Sequence, residues 1–356
     1  MNRALVDRIA DAVLYEGYIL YPYRPSIKNH QRWTFGGLFP ESYTRSQRNG
    51  DASSNRTECL VHGTRASAID VRVRFLHLTA RQVGFLDPPS AEWPEDGPEP
   101  PFQPVESLRA GGAIHQTWQE AEEREASLGE TTIDDLITRP RETTFAFVGG
   151  RRWEPIRVPG RGVVGVIVRD QQPVAGGVEA SAVEVAEGLF RLSIRVACRS
   201  SMEDAAVADR DAALLRSLVA THAILTVRDG AFVSLLEPPA CWRDAAAACR
   251  NVGGWPILVG EEGSTDTMLA SPIILYDYPR IAPESPGDFF DGTEIDEILS
   301  LRIMTLTDDE KACMAAIDDR AGALLARTEA MAREQLLGLH GTVRGCSGGS
   351  GEADHG

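Results

Sequence analysis

Between Thr143 and Cys198 four β-prone apolar runs follow one another: Thr143 to Val148, Gly162 to Arg169, Val174 to Val185 and Leu189 to Cys198. Two of their joins are only Asp170 to Pro173 and Glu187-Gly188. A parallel pair needs a crossover of about a dozen residues or more, so joins this short force antiparallel meanders. Upstream, Thr57 to His62 and Ile69 to Thr79 read as further strands. In the second, Val71, Val73 and Phe75 alternate with Arg72 and Arg74, which predicts one apolar face and one wet face.

Helical spacing is found around these runs. Ala4 to Tyr15 places Leu5, Ile9, Ala12 and Val13 on one stripe, and Ile114 to Leu128 does the same with Ile114, Trp118, Ala121 and Leu128. Thr131 to Ile137, Ala205 to Ala220 and Cys241 to Arg250 read as helices, with short strands at Ala223 to Val227, Phe232 to Leu236, Pro256 to Val259 and Ile273 to Tyr276. Two last helices, Glu294 to Ile303 and Asp308 to Leu339, follow the capping pairs Thr293/Asp296 and Thr307/Glu310. The expected class is therefore α+β, an antiparallel β-sheet core with segregated helices and a C-terminal long helix.

Seven prolines fall in the eighteen residues from Asp87 to Pro104, a composition that suits an exposed linker or loop. The expected organisation is residues 1–86 (helix, basic aromatic segment and strands), the acidic Pro-rich 87–104, an α+β body over 105–341 packed on the first part, and a disordered Gly/Ser tail at 342–356.

The formal charge of −16 works against nucleic acid and anionic membranes as partners. It is unevenly spread. Residues 1–82 carry twelve Arg and Lys against seven Asp and Glu, so the rest of the chain holds −21. A basic head on an acidic body points to partner contact or self-association by charge complementarity. The six cysteines show no CxxC or pairing pattern, and no apolar run approaches a membrane span. The expectation is a cytoplasmic chain with reduced thiols, Cys241 and Cys249 packing in its core, and neither metal nor cofactor.

Motif-like strings do not survive their context. Gly160 to Gly165 spells GxGxxG, but prolines precede it and a Val-rich strand follows, so it reads as a strand-entry turn rather than a dinucleotide loop. Gly345 to Gly349 spells GxSxG in a tail without the strand and helix that a nucleophile elbow needs. Asp277 and Glu284 have the chemistry of a general base, yet a lone loop carboxylate is ordinarily a turn or cap residue. The densest patch runs from Tyr15 to Phe35, where aromatic rings alternate with cations suited to stacking or anion contact. Tyr23, Arg24, Lys28, Arg32 and Trp33 are its candidate binding residues, joined by Tyr276, Asp277, Tyr278 and Arg280 from a second aromatic, proline-bearing loop.

Two stretches carry a resemblance: Leu14-Tyr15-Glu16-Gly17-Tyr18-Ile19-Leu20-Tyr21-Pro22-Tyr23-Arg24-Pro25 with Trp33 to Gly37, and Ser271 to Pro279 with Gly292 to Glu297. They resemble an uncharacterised bacterial protein family associated with gene clusters for nickel–iron hydrogenases. The resemblance spans most of residues 10–335. It implies an accessory or assembly role and supplies no catalytic residue. The functional expectation is an accessory protein, more a binder than an enzyme, acting through protein contacts. The alternative is a small-molecule enzyme or ligand-binding protein whose pocket joins the 18–37 and 273–292 segments.

Overall fold

A computed structural model describes residues 3–19, 36–47, 50–90, 99, 101–280, 303–315 and 319–330. Its spine is one strand, β1 (Ser54–Ser90), which fuses the two runs expected at 57–62 and 69–79 and continues past them. Such length is stable because β1 changes neighbours along its course. On one side it pairs antiparallel with β11 (Leu189–Cys198), then β6 (Thr131–Thr132), β5 (Trp118–Ser127) and β2 (Gln103–Val105). On the other it pairs with β12 (Val219–Val233) and then β9 (Gly162–Gln171).

The sheet widens from there as hairpins. β10 (Val174–Ala186) pairs with β11 through the Glu187-Gly188 turn, and β7 (Arg141–Phe147) adds to β10. β8 (Gly150–Val158) pairs with β9, while β14 (Thr267–Ser271) and β13 (Trp255–Leu258) extend β12. This makes a 12-stranded sheet, with β3 (Ser107–Ala110) and β4 (Ala113–Gln116) forming a separate hairpin. Every pairing between these named strands is antiparallel, as the short joins require. Strands drawn from both sides of residues 87–104 enter the large sheet. Gly160 and Gly162 sit at positive φ in the β8–β9 turn, which is the strand-entry role expected of that string.

Odd-numbered residues of β1 face the main core. Cys59, Val61, Ile69, Val71, Val73 and Phe75 are at most 0% exposed and pack with β10, β11 and β12. The sheet curls enough that Phe145 and Phe147 of β7 reach Phe75, with ring centroids 5.5 and 5.8 Å away. Helix α3 (Ile133–Thr138), capped by Thr132, inserts Ile133 and Leu136 into this interior. The opposite face is covered by α1 (Arg3–Ile19), whose Val6, Ile9, Ala10 and Val13 meet Ile224, Ile257 and Leu269. Leu14 joins Tyr43 of α2 (Glu41–Gln47) over Leu76 and Leu78.

Several expectations are corrected. The chain is predominantly antiparallel β-sheet rather than α+β with segregated helices, for its short helices are scattered between strands. Residues 114–128 form β4 and β5, not a helix, because ten consecutive residues of β5 find hydrogen-bond partners on β1. Of the 205–220 helix only α4 (Arg210–Leu214) forms, since the chain from Val219 is already β12. Only a short 3₁₀ turn and α5 (Arg243–Ala247) form within 241–250. Cys241 is exposed and Cys249 half-buried, so neither is a full core residue.

Nor do the described residues of 308–339 form one long helix. α6 (Asp308–Ala315) and α7 (Asp319–Glu329) lie side by side, as the Lys311–Glu329 ion pair at 3.0 Å requires. In one straight helix those two residues would stand about 27 Å apart. The Thr307/Glu310 capping box does form, with Glu310 N–H donating to Thr307 Oγ1 at 3.3 Å and Thr307 N–H to Glu310 Oε2 at 3.0 Å. The Thr293/Asp296 pair, the GxSxG string and the 342–356 tail lie outside the described residues.

Candidate functional site

The two stretches that carry the family resemblance touch. Gly36, at φ +58, lies so close to Pro272 that a Cβ there would stand 2.7 Å from the proline ring, and its carbonyl accepts from Thr221 N–H at 3.0 Å. Only a residue without a side chain tolerates both the positive φ and that approach. Tyr23, Arg24, Lys28, Arg32 and Trp33 lie outside the described residues, as does Glu284. The site can therefore be built from its second stretch, residues 272–280.

That stretch has no regular secondary structure, although Ile273 to Tyr276 has the composition of a strand. Its backbone is nonetheless fixed. Ile273 and Leu275 pack inward on the α1 cluster. Asp277 Oδ1 accepts Leu258 N–H of β13 at 2.7 Å, and Oδ2 accepts from Ser234 Oγ at the end of β12 at 2.5 Å. Ser234 Oγ in turn accepts Glu237 N–H at 2.9 Å. With both oxygens engaged by structural donors, Asp277 is a latch between strands, not a base. Tyr278 donates its own N–H to Leu258 O at 2.7 Å and its hydroxyl to Ser264 O at 2.9 Å. Its φ of +54 is costly for a bulky residue and is held by these bonds. Burial, then the neighbouring Asp277 charge, raises the Tyr278 phenol above its ordinary pKa, so it stays a neutral donor.

The consequence is a rigid display. Ile274 is 75% exposed and Tyr276 85% exposed, alternating with the half-buried Ile273 and Leu275. Sequence reasoning selected Tyr276 but missed Ile274; the in–out alternation between Pro272 and Pro279 was the available signal. At the far end, Arg280 pairs with Glu262 at 2.5 Å, both largely exposed, a pair of little energetic worth. Arg280 and Pro279 border a pocket of about 430 Å³ whose other wall is α1, through Leu5, Arg8 and Ile9.

A second polar region lies beneath α1. The face of β1 expected to be wet is instead ion-paired: the Arg72 and Arg74 side chains are only 11% and 12% exposed. Arg74 meets Asp11 of α1 at 2.6 Å and Glu123 of β5 at 3.1 Å; Arg72 meets Asp7 at 3.7 Å and Glu125 at 3.5 Å. Further along, Glu120 takes Arg81 at 3.0 Å and Arg169 at 2.7 Å. Burial alone would raise the Glu120 pKa, but the Arg169 hydrogen bonds and the two guanidinium charges hold it below its ordinary value. Among the described residues Arg65, Arg72, Arg74 and Arg81 of the basic head each meet a carboxylate of the acidic body of the same chain. Among the described residues no group of three or more His, Cys, Asp or Glu is arranged to hold a metal ion, and no helix is long and apolar enough to cross a membrane. The chain matches no protein-family model and no curated protein.

Proposed function

We propose that the chain is a cytoplasmic accessory or assembly protein that works by docking a protein client, with the docking surface built on residues 272–280. The observation behind this reading is the fixed exposure of Ile274 and Tyr276. Ordering irregular backbone costs about 1–2 kcal/mol per residue, and apolar side chains held in water return none of it. A client that covers them does. Large apolar and aromatic groups on pre-ordered backbone are what protein interfaces are anchored by. The contact between Gly36 and Pro272 supports treating both family-like stretches as one surface. The resemblance makes a component of a nickel–iron hydrogenase system the first client to test.

The test is affinity capture from the native host with the whole chain and with its I274D/Y276D variant, read by quantitative mass spectrometry. Client signal is expected to fall about tenfold or more in the variant, the usual effect of losing an interface anchor, with the melting temperature unchanged. Identical client profiles from both proteins contradict the proposal. A small-molecule site is the second reading, favoured by the pocket between α1 and Pro279-Arg280.

A further inference from the structure

The pocket between α1 and Pro279-Arg280 has an apolar floor and a charged rim that is only half paired. Leu5 and Ile9 of α1 form the floor with Pro279 facing them, and Arg8 lies on the same helical face, three residues from Leu5. Glu261 and Glu262, just past β13, line the other wall with Arg280. Arg8, Glu261, Glu262 and Arg280 are all exposed. Arg280 and Glu262 answer each other at 2.5 Å. Arg8 and Glu261 are uncommitted, for among the described residues neither side chain takes part in a hydrogen bond or an ion pair. The pocket thus offers one unpaired cation on its α1 wall and one unpaired anion on the other, with apolar surface between.

We infer that this pocket binds a short apolar peptide with free ends, its carboxylate on Arg8, its ammonium on Glu261 and its aliphatic side chains against Leu5 and Ile9. The inference rests on the small-molecule reading of the pocket and names the ligand class. The two unpaired charges stand on different walls, so the matching ligand carries its own charges at separate ends of an apolar body. A free amino acid holds both on one carbon and meets only one wall. A simple anion would leave Glu261 unanswered, and a simple cation would leave Arg8 so. The guanidinium of Arg8 suits a carboxylate in particular, because it can donate two parallel hydrogen bonds to it. A volume of about 430 Å³ falls within the range of small-ligand sites. For a ligand this small at an open rim, the dissociation constant is expected at about 1 mM.

Ligand-observed NMR titration of the whole chain with leucyl-leucine tests this, beside leucyl-leucinamide, which lacks the carboxylate, N-acetyl-leucyl-leucine, which lacks the ammonium, and seryl-serine, which lacks the apolar body. Each of the three is expected to bind about fivefold more weakly than leucyl-leucine, the upper range for one solvent-exposed ion pair. In R8Q the amide should bind as well as the free acid, and in E261Q the acetylated form as well as the free amine. Both positions are exposed, so the melting temperature should not move. I274D/Y276D should bind leucyl-leucine like the wild type, since neither residue lines the pocket, which separates failure of this site from failure of client docking. Equal binding of leucyl-leucine and its capped forms overturns the inference while keeping the small-molecule reading. So does a preference that R8Q and E261Q leave unchanged. No binding of any of the four at about 10 mM, a decade above the expected constant, overturns the inference, and a fragment library that also yields no ligand for the pocket removes the small-molecule reading with it.

Discussion

β12 and β5 flank the same stretch of β1, Arg72 to Leu76, from opposite sides. β12 contributes Val219 to Ile224 there, buried throughout, and places Ala223 and, next along the strand, Leu225 in the main core. β5 contributes Trp118 to Ser127, mostly half-buried or exposed, and its glutamates answer the arginines of β1. Both form regular antiparallel ladders with the same strand. One ladder is backed by apolar burial, which scales with area and is not weakened by charge screening. The other is backed by ion pairs whose carboxylates are 40% and 45% exposed, so solvent and counterions weaken them. The lesson is that a strand can be common to two regions of different cohesion, and that part of the charge asymmetry of the sequence is answered within the fold.

Cavity creation on the β12 side should give the largest effect. Leu225, fully buried opposite Val71, is expected to cost about 2–5 kcal/mol when changed to alanine. Urea unfolding should show that loss undiminished in high salt.

Next in size is an acid effect on the same side. His222 of β12 is fully buried, and its Nδ1–H donates to Ala220 O at 3.0 Å. Among the described residues its Nε2 has no hydrogen-bond partner. Burial is the main cause that lowers its pKa from 6.5 to about 4. The sign follows from linkage: between pH 6.5 and 4 the unfolded chain binds the proton and the folded chain does not, so stability falls as pH falls through that window. The loss is about 3 kcal/mol at its fullest. His77, also buried and shifted downward by burial, adds in the same direction. A pH series of urea melts should show the slope, reduced in His222→Gln.

The sheet was legible where local and tertiary signals agree. Val174 to Cys198 alternates, turns at Glu187-Gly188 and pairs with itself, so its hairpin could be read from sequence. β5 could not, because Gln, Glu, Ala and Arg are good helix formers and their apolar spacing mimics a helical stripe. Only the long-range ladder to β1 decides its state. The arginines of β1 were misread as wet for the same reason, since α1 and β5 that cover them are distant in sequence. At the candidate site, Tyr276, Asp277, Tyr278 and Arg280 were selected by composition, but composition could not separate the latch from the displayed ring. The bonds from Leu258 and Ser234 to Asp277 make that separation.

The account rests on the claim that β1, over Arg72 to Leu76, is held by packing on the β12 side and by charge on the β5 side. Hydrogen exchange read by mass spectrometry tests it most directly, at about 0.1 M and about 1 M salt, where the Debye length shrinks from roughly 10 Å to roughly 3 Å. Amides of β5, Trp118 to Ser127, are expected to lose protection at high salt while those of β12, Val219 to Val233, keep theirs. Equal changes in both strands, or a larger loss in β12, would contradict it.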